Sequence, residues 1–492
     1  MGILGLSVTV TFVVNKFSLD PTWRRPKSGD VLIAGSPLRI FRLSADGVRV
    51  VEQLERENTA TANGSTLVTR LIDAGALHPL PENASQGNTD DGAPRVGPLL
   101  ADITVVIPAY VRNQNEHARI AELAASFPRC ASVVVVDDAS PFPVGDLLNS
   151  HVTVVRLPKN SGPGAARNAG LELVHTSHVA FIDSDVVCTE SDIKQLSAWW
   201  LLPQLGLLAP RVRSRDWSNY GKTIAAYESI DSPLDMGDLP ARVRMGTKVS
   251  YVPSAMLLCS VTALNAVGGF NSSLRVGEDV DLVWRLDAAG FPCRYEPAVE
   301  VHHQPRATIS EFAKQRYDYG LSAAALAELH PGALAPVRVS WWSVSVWGSI
   351  VAGLPLLGGV VALGTAAALA RKVRFLPDVA FESVRLAGLG HVFAGKQIAK
   401  GITRTWWPIA LFISLFSRRA RWVLLAAATL PALGDWWKTR PQLDPVRFTM
   451  LRLLDDAAYG AGVWRGVVRA NNYDALKPDL TSWPTNSRSP AT

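Results

Sequence analysis

A chain of 492 residues exceeds one ordinary domain, and its 48% hydrophobic content supplies more than one core, so two or three folding units are expected. The formal net charge of +6 is unevenly placed: Ala335–Arg440 holds 13 Lys/Arg against 3 Asp/Glu. A basic excess inside the most apolar segment argues for anionic membrane lipids and against nucleic acid as a partner. The four cysteines (Cys130, Cys188, Cys259, Cys293) stand far apart without a C-x-x-C or Cys/His cluster, which argues against a disulfide framework or structural zinc and for reduced thiols.

In chain order, "MGILGLSVTVTFVVNKF" lacks a basic leading region and a cleavage site, which disfavours a signal peptide. Its "VTVTFVV" (8–14) reads as a strand or an unstructured leader. Residues 30–44, "DVLIAGSPLRIFRLS", predict a hairpin, and "ADGVRVVEQLE" and "GSTLVTRLIDAGAL" predict two short amphipathic helices. Residues 1–80 are therefore expected to form a small winged-helix-like module, and 81–101, opening with the Gly/Pro/Asn-rich "PENASQGNTDDGAPRVGP", a linker.

From 102 to 335 the pattern is α/β. "ITVVIPAY", "SVVVVDDAS", "VTVVRLP" and "HVAFIDSDV" are β-branched runs separated by helical stretches, which predicts a mostly parallel sheet with helices on both faces. Ligands in such sheets bind beyond the carboxyl ends of the strands, so Asp137, Asp138, Asp183 and Asp185 are expected along one rim. Residues 341–370 run 30 positions without a charge before "RKVR", a pattern expected of a membrane span, which Pro355 and Gly358–Gly359 would either kink or split into a re-entrant hairpin. "TWWPIALFISLF" and "WVLLAAATLPAL" are each shorter than a span and suggest an interfacial hairpin or two imperfect spans. Residues 336–440 are thus expected as membrane-associated helices, with localisation at the cell membrane and the catalytic domain facing the cytoplasm. A helical segment and flexible tail follow in 441–492.

Four stretches carry chemistry. Asp183 and Asp185 would share one side of an extended chain. A D-x-D at a strand end suits a hard ion, Mg²⁺ or Mn²⁺, that completes its shell with phosphates. "PKNSGPGAARNAGL" (158–171) has Arg167 where a dinucleotide fingerprint requires its third glycine, which argues against an NAD site; the stretch is either an ordinary loop-to-helix junction or a turn that brings Arg167 near the base or phosphates of a nucleotide. "GGFNSSLRVGEDVDLVWRLDAAG" opens a helix at Gly277 with Glu278, Asp279 and Asp281. Asp281 and Arg285 are spaced for a local pair, and Asp279 facing the cleft would serve as a general base. In "VEVHHQPRATISEFAKQRYDYG", either His302 or His303 is a candidate metal ligand (His303 preferred), and Gln315 and Arg316 lie on a helix within reach of a diphosphate.

As a set, "VVIPAY", "VVVVDDAS", "NSGPGAARNAGL", "FIDSDVV" and "GGFNSSLRVGEDVDLVWRL" resemble the family-2 glycosyltransferases in order and spacing over about 102–320. The resemblance implies a GT-A fold, a nucleotide-diphosphate sugar donor, a divalent metal and inversion at the anomeric carbon. By motif, Asp137 and Asp138 would hold the nucleoside, Asp183 would approach the ribose, Asp185 would bind metal and diphosphate, and Asp279 would be the base. "VLIAGSPLRIFRLSADG", the linker, "GEDVDLVWRL" and "RYDYGLSAAALAELHPG" extend the likeness to the mycofactocin-system branch, whose small first module resembles peptide-binding domains. That branch implies UDP-glucose as donor, a peptide-derived redox cofactor as acceptor, and β-1,4-linked glucose as product. Residues 34–37 are Ala-Gly-Ser-Pro where the branch carries Gly-Gly-Ser-Pro.

Overall fold

The structure is a computed structural model that describes residues 16–27, 29–59, 66–81, 97–145, 151–202, 204–215, 221–376 and 378–481. The expected leader strand at 8–14 and most of the 81–101 linker lie outside the described residues. The chain divides into two compact units, one within Met1–Arg215 and Ser232–Gln304, the other within Asp216–Asp231 and Pro305–Thr492.

The first unit opens with β1 (Lys16–Leu19), β2 (Val31–Ala34), β3 (Arg39–Arg42), α1 (Ala45–Glu57), α2 (Thr66–Asp73) and β4 (Leu77–Leu80). β2 and β3 pair as the expected hairpin, and β1 pairs antiparallel with β4. α1 begins where the Ser44 side chain accepts the Gly47 amide, and it ends at Asn58 in the left-handed conformation. Its buried Val51 and Leu54 belong to the same hydrophobic core as Val105, Val135 and Ile182 of the large sheet, so this module shares a core with the domain that follows.

That domain contains β5 (Ile103–Ala109), α3 (Gln114–Ala125), β6 (Ser132–Asp137), β7 (Val152–Arg156), α4 (Pro163–Leu171), β8 (His178–Ile182), β9 (Val186–Val187), α5 (Glu190–Ser197) and β10 (Leu207–Ser214). After α6 (Lys222–Glu228), which belongs to the second unit, come β11 (Ala241–Val243), β12 (Met256–Ser260), α7 (Val261–Val267), α8 (Glu278–Ala288) and β13 (Cys293–His303). The sheet order is β11–β13–β10–β12–β8–β5–β6–β7, with β9 paired to β13. The four early runs pair in parallel, as their buried β-branched sequences predict. β12 is antiparallel to both β8 and β10, and β11 is antiparallel to β13, so the sheet is mixed rather than mostly parallel. All four cysteines are free and buried.

The second unit continues with α9 (Ile309–Leu321), α10 (Ala323–Leu329), β14 (Arg338–Ser340), α11 (Trp341–Val351), α12 (Pro355–Lys372) and α13 (Val379–Lys400). A π-turn at Gly401–Thr405 leads to α14 (Trp407–Phe416), α15 (Arg418–Thr439), α16 (Pro445–Ala470) and β15 (Asp479–Thr481), which pairs with β14. The uncharged run 341–370 does not form one span: α11 stops at Val351, Gly353 adopts a positive φ of 83°, and α12 restarts at Pro355. The longer helices carry charge instead, with Glu382, Arg385 and Lys396 in α13 and Arg418, Arg419, Arg421, Asp435 and Lys438 in α15. Among the described residues no helix is long and apolar enough to cross a membrane. The expected localisation, anchored in the cell membrane with the catalytic domain facing the cytoplasm, is corrected on that ground.

Candidate active site

The strand ends of the first unit gather the acidic residues. β6 ends at Asp137, whose carboxylate accepts the Ser140 amide at 2.7 Å and the Val144 amide at 3.2 Å and pairs with Arg156. Burial alone would raise this carboxyl, but the Ser140 hydroxyl, those amides and Arg156 hold it below the ordinary carboxylate range. Asp138 is buried too, with one oxygen accepting the Ser161 amide at 2.7 Å and the other the Gly162 amide at 2.8 Å. It thereby fixes the loop from which α4 starts, binding the amides of the N-cap Gly162 and of the residue before it.

α4 carries Arg167, which is 1% exposed. Its guanidinium reaches Asp183 with one amino group and Glu278 with the other, at 2.8 Å for Glu278. Burial would lower the pKa of this group, and the two carboxylates hold it raised. Expected beside the nucleotide, Arg167 instead ties the end of β8 to the start of α8, with the Phe270 ring 5.2 Å from its guanidinium carbon. Glu278, one of the three acids that open α8 in the sequence, is buried as the second anchor of Arg167.

Asp183 and Asp185 do not act as a pair on one side of an extended strand. A turn closed by the Val186 amide on the Asp183 carbonyl separates them. Asp183 faces Arg167, whereas Asp185 Oδ2 lies 3.0 Å from His303 Nε2. Desolvation raises the Asp183 carboxyl, with Arg167 opposing and Asp185 reinforcing the shift. His303 arrives because β9 pairs with the end of β13, Val186 opposite His303. His302 turns elsewhere and contacts Glu300 at 3.1 Å.

A carboxylate oxygen and an imidazole nitrogen within one ion's span suit a divalent cation, so Asp185 and His303 fit that role. Among the described residues no group of three or more His, Cys, Asp or Glu side chains converges, so such an ion would draw its other ligands from phosphate and water.

Asp279 sits in the first turn of α8, after Gly277 in the left-handed conformation that a Cβ would strain. Its Oδ1 accepts the Val280 amide at 2.8 Å and its Oδ2 the Ser254 amide at 3.2 Å. Ser254 immediately precedes Ala255, whose carbonyl accepts the Asp183 amide at 2.9 Å, so Asp279 and Asp183 are anchored on adjacent residues of one rim. Burial, then the neighbouring Glu278 charge, push the Asp279 carboxyl up to about 7. A half-buried carboxyl titrating near neutrality is suited to accepting a proton. The expected Asp281–Arg285 pair forms at 2.7 Å.

Arg316 and Gln315 lie in the second unit. Arg316 is 1% exposed and held by Glu228 at 2.7 Å and Asp455 at 3.0 Å, with its other amino group 3.1 Å from Gln315. This guanidinium, expected at the diphosphate, is committed to two buried carboxylates. Sequence reading missed these acids and the Ser254 amide: Glu228 and Asp455 are more than 80 residues from Arg316, and a backbone donor leaves no compositional trace. Arg156 had a signal, a cation closing the run "VTVVR" beside an acidic strand end.

Residues 104–257 match the family model described as Glycosyl transferase family 2. The chain is 37% identical over 468 residues to the "Pre-mycofactocin glycosyltransferase" of Mycobacterium tuberculosis, covering 92% of this chain and 95% of that one. It is 41% identical over 100 residues to the "Succinoglycan biosynthesis protein ExoW" of Rhizobium meliloti, covering 18% of this chain and 31% of the other. Among solved structures, the mannosyltransferase PcManGT from Pyrobaculum calidifontis, in complex with GDP-Man and Mn²⁺, aligns with a TM-score of 0.36 at 16% identity, over 69% of this chain and 88% of that chain.

Proposed function

This chain belongs to family 2 of the glycosyltransferases, in the mycofactocin-system branch, and from that premise we propose that it transfers glucose from UDP-glucose, with inversion, to a peptide-derived redox cofactor or its precursor. Repeated transfer would build a β-1,4-linked glycan on that acceptor. The observation that carries the reaction type is Asp279, a carboxyl held by two backbone amides on the acidic rim and raised to about 7. The acceptor class is supported by a likeness to a pre-mycofactocin glycosyltransferase that runs through 92% of the chain, well beyond the 104–257 catalytic match.

In this reading the nucleoside lies against the loops organised by Asp137 and Asp138, and Asp183 approaches the ribose. Asp185 and His303 would hold Mg²⁺ or Mn²⁺, which when bound neutralises charge on the leaving diphosphate. The acceptor hydroxyl oxygen bonds to the anomeric carbon from the face opposite the diphosphate. Asp279 takes the hydroxyl proton, and the bond to the phosphate oxygen breaks with its electron pair leaving on UDP. One displacement inverts the centre without a protein nucleophile. The module of β1–β4, α1 and α2 serves to bring the peptide-derived acceptor to the rim.

The test is mass spectrometry of products from the purified chain, a divalent metal, a panel of nucleotide sugars and the peptide-derived acceptor. A hexose ladder on the acceptor is expected, and hexose transferred only to polyprenyl phosphate would overturn the acceptor assignment. Asp279→Asn should lower kcat by at least about a hundred-fold while UDP-glucose still binds. Full turnover by that variant would remove the base assignment.

A further inference from the structure

The carboxylate of Asp279 rests on two supports, the helix α8 that carries it and the segment 244–254 that brings the Ser254 amide to it. The N-terminal module grips the 242–248 stretch directly, and through the two arginines of that stretch it reaches α8. Asp73, the last residue of α2, accepts hydrogen bonds from Arg244 at 2.6 and 3.3 Å, and its Oδ1 lies 3.6 Å from Arg242 Nε. The same two arginines hold Asp287 in the last turn of α8, Arg244 at 3.2 Å to each oxygen and Arg242 through its amino group. Further along the segment, the Ser36 hydroxyl of the β2–β3 hairpin accepts the Lys248 amide at 2.8 Å. Trp284 of α8 then donates to the Ser250 carbonyl at 2.7 Å, four residues before Ser254.

We infer that the N-terminal module is a clamp on the catalytic helix, with Asp73 the positioning residue that fixes Asp279 through Arg242, Arg244 and Asp287. The inference rests on the reading of Asp279 as the base. Asp73 and Asp287 alternate with the two guanidinium groups, so each cation has an acid on either side. Removing Asp73 leaves two arginines sharing Asp287, and their mutual repulsion loosens the 244–254 segment against α8. A module that merely tethered the acceptor would need none of these contacts, and its loss would alter acceptor affinity alone.

The experiment compares full-length Asp73→Ala with the parent chain by amide hydrogen exchange and steady-state kinetics. The amides of residues 250–252 and of Ser254 should exchange about ten-fold faster. The kcat of transfer should fall about ten-fold at an unchanged KM for UDP-glucose, and Asp73→Glu should restore both. Ser36→Ala, which frees only the Lys248 amide, should shift exchange in the same direction and covers the case of a poorly folded Asp73→Ala. Unchanged exchange at 250–254 in both variants, or a loss confined to the acceptor KM, overturns the clamp. If instead Asp279→Asn turns over fully while exchange still rises, the base reading has failed and the mechanical clamp stands.

Discussion

Asp279 and Glu278 are neighbours in sequence with opposite assignments in space. Glu278 is buried against Arg167, and its charge, added to desolvation, raises the Asp279 carboxyl to about 7. A base must be ionised to accept a proton, so kcat/KM should rise with pH through about 7. A profile flat from about pH 5.5 to about 8.5 would contradict that. The sign for stability is the reverse. The folded chain keeps this proton longer than the unfolded one, so the contribution of Asp279 to stability declines as pH rises through about 7. The acids themselves were legible because they end apolar runs or open a helix. Their division of labour was not. Local spacing puts Asp183 and Asp185 on one side of a strand, but a turn sends one to Arg167 and the other to His303, 118 residues away.

Elements follow from local pattern where the pattern is buried on both sides. The run "ITVVIPA" became β5 and "SVVVVD" became β6, and α4 packs on both because a Cβ at Gly170 would overlap Val106 and press on Val136 at 3.2 Å. The antiparallel course of β12 was not legible, since "MLLCS" is apolar in either direction and its neighbours are distant in sequence. α9 and α16 approach even more closely. A Cβ at Gly462 would overlap the Tyr317 carbonyl, one at Gly320 the Tyr459 carbonyl, and one at Gly466 would lie 2.5 Å from the Leu321 carbonyl. Backbone cannot yield as a flexible side chain can, so Gly462→Ala should destabilise the second unit by about 1–3 kcal/mol, read as a lower denaturant midpoint. Gly364, exposed in α12 with open space at its Cβ position, is the control. Gly364→Ala should be neutral or stabilising by up to about 1 kcal/mol, from helix propensity alone. Equal effects from the two substitutions would deny that the α9–α16 contact is set by glycine.

At the scale of the whole molecule, each unit has its own buried clusters. One core runs from Phe17 through Ile182 to Val301, and separate clusters centred on Phe312 and Phe448, and on Val463 and Val467, lie in the second. Calorimetry of the full chain should therefore resolve more than one unfolding transition. A single transition whose calorimetric and van't Hoff enthalpies agree would count against independent cores. The helices α12 to α15 leave Leu356, Leu363, Phe416 and Trp422 exposed. Sequence hydropathy registered those side chains, but a span depends on an unbroken apolar helix, and Gly353, Pro355 and the charged positions of α13 and α15 interrupt it. The chain alone determined what period and composition encode: the β-branched strands, the acidic strand ends, the Gly-Glu-Asp helix start and the family they mark. Tertiary structure decided what depends on partners distant in sequence. Asp138 meets its loop amides, Arg167 its two acids, Asp185 its histidine and Asp279 the Ser254 amide only when elements tens to more than a hundred residues apart are packed, because pairing energy is set by distance in space and local spacing carries no record of it.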